Sequence, residues 1–375
     1  MYRPLTGVFS FLKSSGGNTL LGVDINPERI AVAQTKKQGN RIRLVHYETV
    51  EMPEGAMIEG RIVDPPTVGS ALMGLLDEHK ISASAVATAV PVREAIVRLI
   101  RLPAELPADE LRRVVLEQEA ELYIPYPRDQ ADVDFQPLGL DLGPDGIERT
   151  EVLLVAIPKE VVDNYLEVLQ SANLQVRVVE LSSFSLIRTI RDQLAQFSAQ
   201  EAVLLTSIGY ESTEISILVN GVPQFSRTVN IGTVHMQQVL AQALNLPASR
   251  TGDLLQSLKL PVVSSTDSLS TGEQVVGNPG VTAVSRVLAD LADELRRSID
   301  FYINQERSAP VAKVILAGGG AGLNQIDGFL AQRLSMPVDL ADPIGNLTIP
   351  DAMDFPLTLR PAMGVALGLG LRESF

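Results

Sequence analysis

Three consecutive glycines, Gly318, Gly319 and Gly320, follow the apolar run VAKVILA and precede GLNQIDGFLAQRL, which has the spacing of a helix. Glycine is needed where another group approaches the backbone too closely for a Cβ. One interpretation is a phosphate or nucleoside site, because backbone N–H groups can face an anion where no side chain blocks them. The other is a tight packing turn between a strand and a helix. The glycine run alone leaves both interpretations open.

Two earlier tight turns each follow an apolar strand and are rich in polar and small residues. The first follows LLGVDI, and the second follows AVLLTSI. The segments GVDINPERIAVAQ and LLTSIGYESTEISIL each read as strand, tight turn and strand, which favours a chain built from two similar halves. The polar and small residues of these turns are Asp24, Asn26, Ser207, Gly209, Ser212 and Thr213.

The elements that would position these turns can be predicted from periodicity and turn signals. The runs LLGVDI, RIAVAQT and RIRLVHYETV predict three successive strands, and Asn220-Gly221 predicts a hairpin. Helical spacing predicts a helix over ADELRRVVLEQEAELYI and a longer one over VSRVLADLADELRRSIDFYI. The buried stripe expected for the shorter helix consists of Leu111, Val114, Val115 and Leu122.

Composition excludes several function classes. The chain has 375 residues, 45% of them hydrophobic, which predicts two or three domains. Its net charge of -14 and lack of a basic block argue against nucleic acid or an anionic membrane surface as a partner. There is no cysteine, and the three histidines are scattered, which disfavours disulfides, thiol chemistry and zinc. Without an apolar run of about 18 residues or a signal peptide, we expect a cytoplasmic protein.

The order of the two turns and the glycine run resembles the actin-like ATPase fold. Several segments narrow the resemblance, namely IRLP, ADELRRVVLEQEAELYIPY, DVDFQPL, ELRRSIDFY and PAMGVALGLGLR. They resemble the PilM family of type IV pilus assembly proteins, which is similar to FtsA, over roughly residues 19–372. The resemblance implies an α/β, actin-like (ribonuclease H-like) two-lobe fold with a small α+β inserted subdomain. It also implies that these residues of the two turns and the glycine run bind one ATP with magnesium. Asp24 would hold the metal through water molecules.

The resemblance also suggests domain boundaries. Residues 1–18 are expected to be a mobile N-terminal arm. The first lobe is expected over 19–84 and 340–375, and the inserted subdomain over 85–178. The second lobe would span 179–339, with a mobile loop near 260–280.

Family membership would imply a cytoplasmic scaffold at the inner-membrane face. Such proteins bind the N-terminal peptide of PilN, and reach the membrane only through the PilN/PilO complex, with motor ATPases as further candidate partners. A peptide groove at the edge of the insert would be lined by apolar and aromatic residues beside prolines, and the alternative is that these residues form the core of the insert. They are Leu99, Ile100, Leu102, Tyr123, Ile124 and Tyr126.

The sequence departs from the family pattern in both turns. Asn26 replaces a glycine, Pro27 removes a backbone donor and Ala31 stands where a lysine is usual. Ser207 replaces an acidic residue in the second turn. ATP binding is therefore expected to be weakened or lost, and hydrolysis is not expected. Glu180 is the one candidate for orienting a water molecule for hydrolysis. The alternative is that Glu180 is a carboxylate on the protein surface without such a role. An active ATPase and an FtsA-like polymerising protein remain alternative functions.

Overall fold

The computed structural model describes residues 20–39, 41–83, 85–143, 145–247, 250–262 and 278–373. The arm expected at 1–18 and most of the loop expected near 260–280 lie outside these residues. The chain divides into two compact units. Met1–Arg188 and Val365–Phe375 form the first unit, and Thr189–Gly364 forms the second. The boundaries therefore fall at 188/189 and 364/365, rather than at the expected 178/179 and 339/340.

Both units contain strands and helices. The strands are β1 (Leu21–Ile25), β2 (Arg29–Gln38), β3 (Arg41–Glu51), β4 (Met57–Ile58), β5 (Arg61–Ile62), β6 (Ala85–Val90), β7 (Ile96–Pro103), β8 (Ala131–Leu142), β9 (Glu148–Pro158), β10 (Gln175–Leu181), β11 (Ala202–Ile208), β12 (Thr213–Val219), β13 (Val222–Val229), β14 (Val311–Ala317), β15 (Val338–Leu340) and β16 (Leu347–Thr348). The helices are α1 (Pro65–Glu78), α2 (Ala108–Val114), α3 (Ala120–Tyr123), α4 (Lys159–Ser171), α5 (Ser182–Thr189), α6 (Arg191–Leu194), α7 (Thr233–Leu244), α8 (Thr251–Ser257), α9 (Pro279–Ile303), α10 (Ile326–Leu334) and α11 (Gly364–Gly370).

The main sheet of the first unit has the order β10-β6-β1-β2-β3. The antiparallel pairing of β1 with β2 and of β2 with β3 confirms the predicted succession of strands. β6 pairs in parallel with both β1 and β10. Strands at both ends of the range 85–178 thus belong to this sheet, so the expected insert was drawn too wide. Parallel pairing between segments far apart in the chain leaves no local signal.

The inserted part is a three-stranded antiparallel sheet of order β7-β9-β8 with a helix on one face. α2 continues through one π-helical segment, Val115–Glu119, into α3. The predicted helix is confirmed, but Leu122 is 73% exposed and Ala120 is buried in its place. A π turn takes in an extra residue, which rotates every later side chain by about 100° around the helix. The predicted stripe was therefore wrong beyond Val115.

The second unit is built on a five-stranded sheet of order β13-β12-β11-β14-β15. Asn220 and Gly221 both have positive φ, 50° and 74°, and so form the predicted hairpin between β12 and β13. α9 buries Val284, Leu288 and Leu291 on one side, as its spacing predicts. Among the described residues, no helix combines the length and the apolar character needed to cross a bilayer.

Candidate functional site

The first turn, between β1 and β2, is closed by the side chain of Asn26. Its amide oxygen accepts the backbone N–H groups of Glu28 and Arg29, each at 3.1 Å. The backbone N–H of Asn26 itself donates to the carbonyl of Arg29 at 3.1 Å. Pro27 has no N–H. Every backbone donor of residues 26–29 is therefore engaged within the turn, and none faces outward for a phosphate.

Asp24, at the end of β1, lies in the same cluster. The amide nitrogen of Asn26 donates to its Oδ2 at 3.1 Å. Burial raises the pKa of the Asp24 carboxyl above its ordinary value, while the charge of Arg29 and the Asn26 hydrogen bond act in the opposite direction. Tyr47 on β3 is close enough to feel Arg29 and Asp24, and burial raises its pKa to about 12. Arg29 thus supplies positive charge beside Asp24 from the protein itself.

The second turn, between β11 and β12, is more open. Gly209 donates its N–H to the carbonyl of Ser212 at 2.9 Å, and the Thr213 hydroxyl donates to the carbonyl of Ile231 at 2.6 Å. In contrast to the first turn, the backbone N–H groups of Tyr210 and Ser212 have no protein acceptor among the described residues. Ser207 sits in the last part of β11, half-buried. This turn keeps donors that an anion could use.

The glycine run packs against the end of β11. A Cβ built on Gly318 would lie 2.4 Å from the carbonyl oxygen of Ile208, and Gly318 has a φ of 82°. A Cβ on Gly320 would lie 2.3 Å from Cγ2 of Ile208, whereas Gly319 is exposed. The structure therefore supports the packing interpretation for Gly318 and Gly320. It also brings the glycine run beside the second turn, since Ile208 directly precedes Gly209.

The glycines do not open an α-helix as the spacing predicted. Residues Gly319–Gly322 form a 3₁₀ turn, and α10 begins only at Ile326. The N–H of Gly318 donates to the carbonyl of Pro361 at 2.9 Å. The N-terminus of α10 is thus separated from the glycine run.

Thr233, at the start of α7, belongs to this neighbourhood and was missed by sequence reasoning. It is 7% exposed, and its hydroxyl oxygen is buried without a hydrogen-bond partner among the described residues. Its methyl carbon lies 3.1 Å from a Cβ built on Gly320, and its N–H donates to the carbonyl of Gly209 at 3.0 Å. The signal that could have found it is Gly232-Thr233, a glycine and a hydroxyl residue at a helix start.

Glu180 is not the surface carboxylate that the alternative interpretation assumed. Its side chain is fully buried and accepts a two-point ion pair from Arg188, at 2.7 and 2.9 Å. Arg372 and the hydroxyl of Ser185 also donate to it. Arg188 reaches further, to the carbonyl of Gly368 at 2.7 Å. Both Glu180 oxygens are occupied by protein donors, which fits a structural ion pair rather than a water-orienting role.

The residues expected to line a peptide groove separate into two groups. Ile100, Leu102 and Ile124 are buried in the core of the insert. Leu99 directly precedes Ile100 on β7 and therefore points to the other face of the sheet. Tyr123 is 37% exposed at the end of α3. The alternative interpretation, core rather than groove, is thus the one the structure supports for Ile100, Leu102 and Ile124.

Tyr126 combines partial exposure with an unsatisfied polar atom. Its ring packs against the core of the insert, and its hydroxyl oxygen is buried without a hydrogen-bond partner among the described residues. Burial raises the pKa of Tyr126, so the hydroxyl is protonated at neutral pH and has a hydrogen to donate.

The predicted residues are thus distributed over both units. Asp24, Asn26, Glu180 and the six peptide candidates lie in the first unit, and the other nucleotide candidates lie in the second. Within the second unit the structure brings together Gly209, Gly318 and Gly320, with Thr233 added. We also predicted that the first turn faces the same nucleotide as these residues, and this stays a prediction.

Comparison with known proteins identifies the fold. A solved structure described as the PilM-PilN type IV pilus biogenesis complex matches 95% of this chain and 99% of its own, with 25% identity and a TM-score of 0.79. EutJ, an ethanolamine utilization protein from Carboxydothermus hydrogenoformans, matches at 13% identity and a TM-score of 0.53, covering 97% of this chain and 92% of its own. MreB 5 of Spiroplasma citri bound to AMPPNP matches at 12% identity and a TM-score of 0.51, covering 96% of this chain and 97% of its own.

The chain therefore has the two-lobe, actin-like α/β fold that the resemblance implied. A family model for the type IV pilus assembly protein PilM matches residues 22–374, nearly the whole sequence. On that match, this chain belongs to the PilM family of type IV pilus assembly proteins.

Proposed function

We propose that this protein is a cytoplasmic scaffold of type IV pilus assembly that binds the N-terminal peptide of PilN. The observation that carries the proposal is its likeness, along 95% of the chain, to a PilM that is in complex with PilN. Through PilN the scaffold would join the PilN/PilO complex at the inner-membrane face, and motor ATPases would be further partners. The chain itself would reach the membrane only through that partner.

Tyr126 is the residue of the insert best suited to contact the peptide. A buried hydroxyl without a partner costs about 1–3 kcal/mol, and a peptide carbonyl would remove that cost on binding. Tyr123 lies nearby in sequence, and its exposed ring would supply apolar contact area. The buried residues Ile100, Leu102 and Ile124 would support the site from beneath. Leu99 would require a peptide on the opposite face of the sheet.

ATP with magnesium would be a weak ligand rather than a substrate. The residues of the second unit fit a phosphate in part, since Tyr210, Ser212 and Thr233 keep unused donors. The first turn does not fit, because Asn26 engages its backbone donors and the positive charge of Arg29 already acts on Asp24. Glu180 is held by arginines and offers no oxygen to a water. Nucleotide would thus bind weakly and turnover would be absent.

The test is a titration of the full chain with a synthetic PilN N-terminal peptide, with and without saturating magnesium-ATP. We expect binding in both conditions, with affinities that differ little. Phosphate release should stay at the level of the buffer. Absence of peptide binding in both conditions would overturn the scaffold assignment. Peptide binding that appears only with ATP, or steady phosphate release, would favour the ATPase alternative instead.

A further inference from the structure

A depression lies at the C-terminal end of α4, where the chain turns into β10. Its volume is about 590 Å³. α4 starts directly after β9 of the insert and rises about 1.5 Å per residue, so the depression lies about 20 Å from the insert. Its lining residues are Leu166, Gln170, Asn173, Leu174, Gln175 and Val176.

The turn beneath the depression has a defined conformation. Asn173 takes a left-handed conformation, with φ of 58°, and the N–H of Leu174 donates to the carbonyl of Leu169 at 2.9 Å. Such an ending satisfies the last carbonyls of a helix and fixes the direction of the chain after it. The site is therefore preformed, and a ligand would not have to order it.

The lining selects against charged ligands. It consists of three aliphatic side chains and three primary carboxamides, with no charged residue, in a chain of net charge -14. A carboxamide offers both a donor and an acceptor, which are the groups that a peptide unit also presents. A charged group placed there would find no counter-charge in the lining, whereas a neutral peptide would find matching donors and acceptors. The lining thus matches a neutral ligand that has amide groups and an apolar side chain.

The depression adjoins the edge of a sheet. Gln175 and Val176 are the first residues of β10, and in the described residues β10 pairs with β6 alone. A strand at an edge presents backbone N–H and C=O groups that can pair with another extended chain. The register with β6 shifts between Val176 and Val178, and a bulge of this kind interrupts regular pairing. Only a short segment would therefore find matching groups.

From these observations we propose that the groove between α4 and the start of β10 docks a short, uncharged, extended peptide segment of another protein. The segment would lie along the β10 edge and place one aliphatic side chain against Leu166, Leu174 and Val176. The three carboxamides would bind its peptide groups. This site is separate from the insert and does not depend on the function proposed above.

The test uses the full chain with ¹³C-labelled leucine and valine methyl groups. The probe is the capped peptide acetyl-Ser-Val-Ser-Leu-Ser-Val-Ser-amide, and the comparison peptide has Asp in place of both Val residues. We expect the neutral peptide to shift the methyl signals of Leu166, Leu174 and Val176, and the charged one to leave them unchanged. Equal shifts with both peptides, or none with the neutral peptide, would overturn the proposal.

Two variants of the lining and one control sharpen the test. Gln170→Arg and the near-isosteric Val176→Thr should each weaken binding of the neutral peptide by about tenfold, the loss expected for one good contact. Glu167→Arg, on an exposed neighbouring position of α4 outside the lining, should bind like the parent. If all three variants bind alike, the peptide does not use this groove.

Other occupants would be recognised in the same spectra. If removal of residues 1–18 shifts these methyl signals without any peptide, the chain's own N-terminal segment fills the groove, and the proposal fails. If the signals move with protein concentration, a second copy fills the groove, and the proposal fails for that reason. If the PilN N-terminal peptide shifts these methyl signals, the two peptides share one site. The proposal that the groove is a separate site would then fail, while the proposal that this protein binds PilN would stand.

Discussion

A Cβ built on Gly320 would lie 2.3 Å from Cγ2 of Ile208, so β11 ends directly on the backbone of the glycine run. Ile208 is fully buried. The two segments of the second unit that carry the predicted phosphate and nucleoside residues therefore form one packed cluster. Its geometry is set by side-chain contact, without any ligand.

Replacing Gly320 with alanine should destabilise the protein by about 1–3 kcal/mol, because an added methyl group overpacks a buried contact. Urea denaturation followed by circular dichroism measures this. Gly252→Ala in α8 is the control, since its Cβ would meet nothing closer than 4.0 Å. That variant should be as stable as the parent or gain up to about 1 kcal/mol. A fully stable Gly320→Ala would refute the packing interpretation.

Replacing Asn26 with glycine should strengthen nucleotide binding. The change removes the oxygen that engages the N–H groups of Glu28 and Arg29 and so frees them for a phosphate. The rise in melting temperature with magnesium-ATP should exceed that of the parent, because stabilisation follows occupancy. Asn26→Asp keeps an acceptor oxygen and should show no gain. Equal responses of both variants would mean that the turn does not limit binding.

Asp24→Asn should stabilise the protein at neutral pH. The folded Asp24 has a pKa above its ordinary value of 3.8, so the native state holds the proton more tightly than the unfolded chain does. The stabilisation that the protonated Asp24 carboxyl gives the folded state is fully present below pH 3.8. It is lost as the pH rises through the pKa of the folded state. The advantage of the variant should therefore be largest at pH 7 and shrink towards pH 3.8. An advantage that grows on acidification would contradict a raised pKa.

Tyr126→Phe should separate stability from partner binding. Loss of a buried, unpartnered hydroxyl should leave the free energy of unfolding unchanged or raise it by up to about 1–3 kcal/mol. Affinity for the PilN N-terminal peptide should fall by about tenfold, as for one lost hydrogen bond. Calorimetry and thermal unfolding measure the two effects. Unchanged affinity would move the peptide away from Tyr126.

Glu180→Gln should destabilise the first unit strongly. Arg188 and Arg372 would lose their shared counter-charge while staying largely buried, which typically costs about 3–5 kcal/mol. Glu151→Gln is the control, because its ion pair with Arg101 is more exposed and such pairs contribute less than about 1 kcal/mol. Denaturant unfolding compares them. Similar losses of stability in both variants would show that the buried ion pair of Glu180 contributes no more than an exposed one.

Local signals were sufficient for much of the fold. The positive φ angles of Asn220 and Gly221 need no distant contact, and the stripe of α9 follows from its own periodicity. Two features could not be read in this way. Leu122 was misplaced because a π segment upstream rotates it, and β6 was assigned to the insert because its partners β1 and β10 are remote in sequence.

The sequence indicated which residues of the candidate site are unusual, but it did not indicate what each of them contacts. Asn26 was recognised as a departure, but its hydrogen bonds across the turn require the folded backbone. Gly318 and Gly320 were recognised as points of close approach, while the neighbour, Ile208, could not be known. The burial of Ile100, Leu102 and Ile124 depends on how β7 faces α2 and α3. The Gly232-Thr233 signal at a helix start points to a capping position and does not by itself indicate a ligand.

The first unit is assembled from both ends of the chain, because Arg372 joins Arg188 at the buried Glu180. During translation, residues 189–364 emerge before the segment that completes this ion pair. The second unit is therefore synthesised in full before the first, which cannot form this ion pair until Arg372 has been added. A stop codon before Arg372 would leave the larger share of the first unit synthesised but with Glu180 short of one of its two arginines.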